Sequence, residues 1–122
     1  MMRPPVASFL LIAYCCLIFM LSSQSKLPMP MLFSAEDKLI HALAYALMAL
    51  LAWISFSREK RPLKIVFIIS VLFCSLYGLS DEWHQSFVLG RDASLGDWLA
   101  DTTGAVLMAT VIFHRSLRQQ TN

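Results

Sequence analysis

Three runs of this chain are apolar over about the thickness of a bilayer, and nothing else in it constrains the fold as strongly. Residues 6–21 are apolar apart from Ser8, residues 39–56 form the second run, and residues 65–79 form the third and most hydrophobic. Crossing the hydrocarbon takes about 20 residues of helix, and lipid forces the backbone to satisfy its own polar groups. A fourth run, residues 98–113, is weaker because Asp101, Thr102 and Thr103 interrupt it. The composition agrees: 57% of residues are hydrophobic and 15% charged, against about 45–50% and about 25% in average chains. The length fits one domain, residues 1–122, and a net charge of +2 is too small to argue for nucleic acid. The expectation is an all-α fold, a four-helix transmembrane bundle with spans at about 6–22, 38–56, 63–83 and 97–113.

Punctuation between the runs supports this division. Ser22, Ser23, Gln24 and Ser25 end the first run. A cleavable signal peptide is the rival reading there, but the run exceeds the usual h-region of about 7–15 residues, which favours an uncleaved span. Pro28 and Pro30 make residues 26–33 a loop. Ser34-x-x-Asp37 and Ser94-x-x-Asp97 match the capping pattern of a helix start. Ala42, Ala44, Ala46, Ala49 and Ala52 favour close helix approach in the second span. Pro62 fits the first turn of the third helix, which should continue to about Phe87 with Gly90 as its stop. His114 begins a polar tail. Cys15, Cys16 and Cys74 lie inside apolar runs, with no disulfide framework or metal spacing.

Orientation follows from the placement of Lys and Arg. Arg3, Arg58, Lys60, Arg61, Lys64, Arg115 and Arg118 fall in the head, the hinge and the tail; only Lys26, Lys38 and Arg91 fall in the other two loops. Both termini are therefore expected in the cytoplasm of a bacterium, with the protein in its cytoplasmic (inner) membrane and the segments around Asp37 and residues 81–97 on the outer face.

Those segments carry most of the chain's chemistry. Asp37, His41 and Tyr45 share one helix face at i, i+4, i+8, with Lys38 beside them. Asp81, His84 and Gln85 share another, next to Glu82, and Asp97 and Asp101 are again i, i+4. Capping is one explanation of Asp37 and Asp97, and ligand binding, for which both are candidates beside Lys38, His41, Tyr45 and Arg91, is the other. Tyr45, Trp83 and Trp98 suit an aromatic belt at the membrane interface, with Trp53 doing the same at the opposite side. Asp81, Glu82, His84, Gln85 and Asp101 are harder to explain away. A charge near mid-membrane costs about 2.5–3.5 kcal/mol on insertion scales, more than the ~1 kcal/mol of a typical cap. Inter-helix pairing with Lys38, His41 and Arg91 would offset that cost, and so would a bound ligand or ion. Asp81, Glu82, His84 and Asp101 are the acid–base candidates, and His41, His84 and Glu82 the metal-ligand candidates. No HExxH, CxxC or nucleophile motif occurs, and no cofactor is identified, although the residue types admit a divalent metal.

D-K-x-x-H-x-x-x-Y at Asp37 to Tyr45, D-E-x-H-Q at Asp81 to Gln85, G-R at Gly90 and Arg91, and D-x-x-x-D-x-x-G at Asp97 to Gly104 together resemble the VanZ-like family of small integral membrane proteins. The resemblance spans about residues 37–109. It implies an accessory role in the cell envelope of the kind linked to glycopeptide resistance and teicoplanin tolerance. Three functions compete. The first is an envelope-associated binding protein, in which Lys38 and Arg91 grip an anionic lipid or a lipid-linked cell-wall precursor. The second is a metal- or carboxylate-dependent membrane enzyme acting on a lipid or cell-wall precursor. The third is a structural or proton-relay protein.

Overall fold

The computed structural model describes residues 3–25, 35–57 and 60–121, and within them the chain is helical with no strand. Helix α1 runs Pro4–Ser22, α2 Glu36–Phe56, α3 Leu63–Gln85 and α4 Leu95–Gln120. Prolines at the start of α1 cost no hydrogen bond there, since the first N–H groups of a helix have no intrahelical partner. Ser34, the expected cap of α2, lies outside the described residues, and Ala35 holds the cap position. Pro62 sits one place earlier than expected, capping α3 as the residue before Leu63, and its carbonyl accepts from the N–H groups of Ile65 and Val66. Arg61 donates to the Phe56 carbonyl at 2.7 Å, satisfying one of the acceptors left at the end of α2.

Helix α3 stops at Gln85, slightly short of Phe87, and Gly90 serves a different purpose from ending it. The chain leaves α3 through tight turns, and the last of these closes with the Arg91 N–H on the Val88 carbonyl at 3.1 Å. Gly90 stands at the third position of that turn with φ +80°, a conformation open to glycine because it has no Cβ. Helix α4 continues to Gln120, so the expected polar tail after His114 is helical.

The helices alternate in direction, and α4 packs most extensively on α2, then on α3, while α1 lies mainly against α2. Two apolar clusters fill the interior. One joins Leu11 of α1, Tyr45, Met48, Ala49 and Ala52 of α2, Cys74 of α3 and Ala105 of α4. The other, toward the opposite end, joins Trp53, Val66 and Ala109. Trp53 is thus a core residue, and Tyr45, 1% exposed, belongs to the core as well. Small residues set the closest crossing: a Cβ added to Gly104 would collide with the carbonyl of Ala42, lying 2.6 Å from its carbon. Outward faces are strongly apolar, with Phe9, Ile12, Leu43, Leu72, Leu76, Leu107 and Val111 all exposed. Exposed apolar area of this extent is a liability in water and the natural surface in lipid.

Helices α1, α2 and α3 are long and apolar enough to cross a membrane. Helix α4 is not in that set, because Asp97 and Asp101 near its start and Arg115 and Arg118 near its end dilute its apolar stretch. Asp101, the residue most at odds with lipid, is wholly buried among the other helices.

Candidate functional site

The end of α1, the start of α2, the end of α3 and the start of α4 meet at one end of the bundle, and His41 stands at their centre. Its Nδ1 lies 2.8 Å from Asp101 Oδ1, while Nε2 faces Asp97 Oδ2 at 3.8 Å and Asp37 Oδ1 at 3.9 Å. Lys38, one turn earlier on α2, donates to Asp97 Oδ1 and lies 3.9 Å from Asp37 Oδ2. Two basic residues three apart on α2 therefore meet two acidic residues four apart on α4. Both spacings put side chains on one helix face, so the contacts form a two-rung ladder between the helices.

Glu82 closes the third side from α3. Ser94 caps α4 as the sequence suggests, its hydroxyl accepting from the Asp97 N–H at 3.3 Å. In a full capping box the third residue would reach back to the cap's own N–H. Here Glu82 Oε2 takes that N–H instead, at 2.7 Å. Asp97 is left free to face Lys38 and His41.

The inner side of the cluster is acidic and buried. Asp101 is fully buried, and Glu82 and Asp97 are nearly so. Among the described residues, Asp101 Oδ2, Glu82 Oε1 and the Tyr45 hydroxyl are buried with no hydrogen-bond partner. Ligating atoms of His41, Glu82 and Asp101 lie within 4.8 Å of one another, and so do those of Asp37, His41 and Asp97. An imidazole with two carboxylates is a donor set suited to a divalent ion.

The remaining candidates fall outside this cluster. Asp81 and Gln85 pair with each other, Gln85 Nε2 donating to Asp81 Oδ2 at 3.3 Å, and both are buried. His84 turns toward α1: its Nε2 is 2.9 Å from the Ser23 hydroxyl and its ring stacks on Phe19 at 4.6 Å. Of the three expected metal ligands, the structure brings together His41 and Glu82, with Asp101 in the place foreseen for His84. Arg91 follows the Gly90 turn and interacts electrostatically with Asp81. Trp83 is exposed, whereas the Trp98 indole N–H is tied to the Ser75 carbonyl at 3.0 Å, linking α4 to α3.

Two contributions escape a reading of motifs. The Ser94 N–H, taken by Glu82, is a backbone group that no residue type announces. Gly78 makes room: a Cβ there would lie 3.0 Å from Asp101 Oδ2 and 3.3 Å from the Tyr45 ring. An isolated glycine inside an apolar helix is the one signal that points to such an approach.

An open, mainly apolar groove of about 460 Å³ adjoins the cluster, lined by Leu79, Trp83, Ala93, Leu95 and Trp98 with Glu82, Ser86 and Ser94 as its polar members. Four helices, three of them able to span a bilayer, with a His–carboxylate cluster at one end, define a small helical membrane protein. The VanZ/LLP1 family model matches residues 7–117, nearly the whole chain, and the protein belongs to that family. No curated protein and no solved structure matches it.

Proposed function

We propose that this protein is an envelope-associated binding or accessory protein of the bacterial cytoplasmic membrane, with all four helices crossing the bilayer and the polar cluster on the outer face. Its ligand is amphiphilic, a lipid or lipid-linked cell-wall precursor, with an apolar chain along the α3–α4 groove and a polar head at the His41 cluster. The observation that carries this reading is Glu82, which lines the groove with one carboxylate oxygen buried and without a partner among the described residues. Lys38 is engaged by Asp97 and Asp37, so a simple anion grip by Lys38 and Arg91 is less well supported than recognition through the acidic side of the site. A part in glycopeptide or teicoplanin tolerance would follow from such binding.

The test uses purified protein in detergent and a panel of lipids with one acyl composition and varied headgroups, including an undecaprenyl-linked precursor. Thermal stabilisation should depend on the headgroup and be lost in Glu82→Gln. Equal stabilisation by every headgroup would reject the reading.

A membrane enzyme acting on the same ligand class is the second reading. What favours it is the set of carboxylates on both sides of the His41 ring, an arrangement that orients an imidazole for proton transfer. Turnover of a lipid-linked substrate in proteoliposomes, abolished by His41→Gln at matched protein level, would separate it from binding alone.

A further inference from the structure

The geometry points to a metal site: we infer that His41, Glu82 and Asp101 bind one divalent transition-metal ion of the Zn²⁺ or Mn²⁺ kind. The three residues come from α2, α3 and α4, and their ligating atoms lie within 4.8 Å of one another. Facing helices of a bundle are a common source of such ligands. Proximity of acidic groups alone would carry little. The independent observation is that Glu82 Oε1 and Asp101 Oδ2 are buried without a hydrogen-bond partner among the described residues, on side chains 5% and 0% exposed. A buried carboxylate oxygen is normally paired, and a cation is the partner that two of them can share.

Charge leads to the same conclusion. Asp37, Glu82, Asp97 and Asp101 surround His41, and Lys38 is the cation paired within the cluster. Lys38 answers Asp97 and His41 answers one oxygen of Asp101, which leaves Glu82 with no cation paired to it among the described residues and the second Asp101 oxygen unmatched in a low-dielectric setting, where charges are neutralised or paired. The donor set is mixed: imidazole suits Zn²⁺, carboxylates suit Mn²⁺ and Mg²⁺, and their combination selects a borderline transition ion. Carboxylates of Asp97 and Asp37 face the far nitrogen of the His41 ring at 3.8 and 3.9 Å, too long for a hydrogen bond but close enough to favour a proton on that nitrogen. The partly exposed side chains of Asp37 and Lys38 leave a way in from the bundle end.

Binding at Nδ1 would displace the proton His41 shares with Asp101. That proton leaves to solvent as the nitrogen–metal bond forms, so affinity falls in acid. The inference does not require the ligand to be a lipid, and its test contains none.

Full-length protein in detergent, stripped with EDTA and desalted, is titrated separately with Zn²⁺, Mn²⁺, Mg²⁺ and Ca²⁺, and retained metal is measured by elemental analysis. One Zn²⁺ or Mn²⁺ per chain is expected, with proton release seen as a buffer-dependent heat. Bound Mn²⁺ should show nitrogen coupling from an imidazole in its pulsed EPR spectrum, absent in His41→Gln. Glu82→Gln and Asp101→Asn should each weaken binding about tenfold or more, and Asp81→Asn should leave it unchanged. Helicity by circular dichroism qualifies each variant, and Glu82→Gln serves if Asp101→Asn does not fold. Wild-type protein that retains no Zn²⁺ or Mn²⁺, or folded Glu82→Gln that binds as tightly as wild type, overturns the inference.

Discussion

Replacing Gly104 with alanine should damage the fold and the site together. Gly104 lies against the Ala42 backbone, and an added Cβ would fall 2.6 Å from the Ala42 carbonyl carbon and 2.8 Å from its Cα. Ordinary carbon–carbon contact needs about 3.5–4.0 Å, so α2 and α4 must part by about an ångström. Neither side can give cheaply, because the obstacle is helical backbone and not a flexible side chain. Overpacking of this kind costs about 1–3 kcal/mol. His41 neighbours Ala42, and Asp101 is less than one turn from Gly104, so the same movement stretches the 2.8 Å His41–Asp101 contact past hydrogen-bonding distance. Losing a hydrogen bond to a charged group adds about 1.5–3 kcal/mol. The sum, about 2.5–6 kcal/mol, should lower the unfolding midpoint by about 10–23 °C for a chain of this size. Thermal denaturation in detergent measures the first effect, and NMR of the His41 ring nitrogens the second. Gly96→Ala is the control: its Cβ would meet the flexible far end of Lys38, 3.1 Å from Cε, and the Ser94 hydroxyl at an ordinary 3.4 Å, and the change should fall within about 0.5 kcal/mol of neutral or be stabilising. Wild-type stability in Gly104→Ala, with an unaltered His41 spectrum, would refute the close α2–α4 crossing on which the site geometry depends.

Further expectations concern single contacts. Ser94→Ala removes the hydroxyl that accepts from Asp97 N–H and should cost about 1 kcal/mol, with faster amide exchange at the start of α4. Trp98→Phe loses the bond to the Ser75 carbonyl; a loss of about 1 kcal/mol in chemical denaturation is expected, and no change at all would mean that the indole is not a tether. His84→Ala frees the end of α1 from the Ser23 and Phe19 contacts, so exchange should accelerate in residues 19–23 while Zn²⁺ or Mn²⁺ binding stays as in wild type. Reporter fusions at Lys60 and Arg91 should report opposite sides of the membrane, and the same side for both would remove the four-span topology.

Much of the fold was legible in the residues. Long apolar runs have few outcomes in lipid, and the serines and prolines between them mark helix ends, so three helices end within a few residues of expectation. The end of α4 was misjudged because Arg115, Arg118 and the glutamines read as tail, yet they are good helix formers once a helix is under way. The candidate site was legible as a set of residue types and as faces of single helices. Which faces turn toward one another was not: spacing along one helix carries no information about the rotation of its neighbour. His84 and Glu82 stand two apart on α3 and so point to different sides, one toward α1 and the other toward α4.

From its residues alone the chain was bound to be helical, to present apolar surface to lipid and to keep its ionisable groups near the ends of its helices, since hydrocarbon tolerates little else. Packing made the remaining choices. Gly104 and Gly78 let α4 come close enough for Asp101 to reach His41, and Glu82 took over the Ser94 N–H that Asp97 would otherwise have held. Those are contacts between helices, set by how three surfaces fit, and no stretch of sequence contains them.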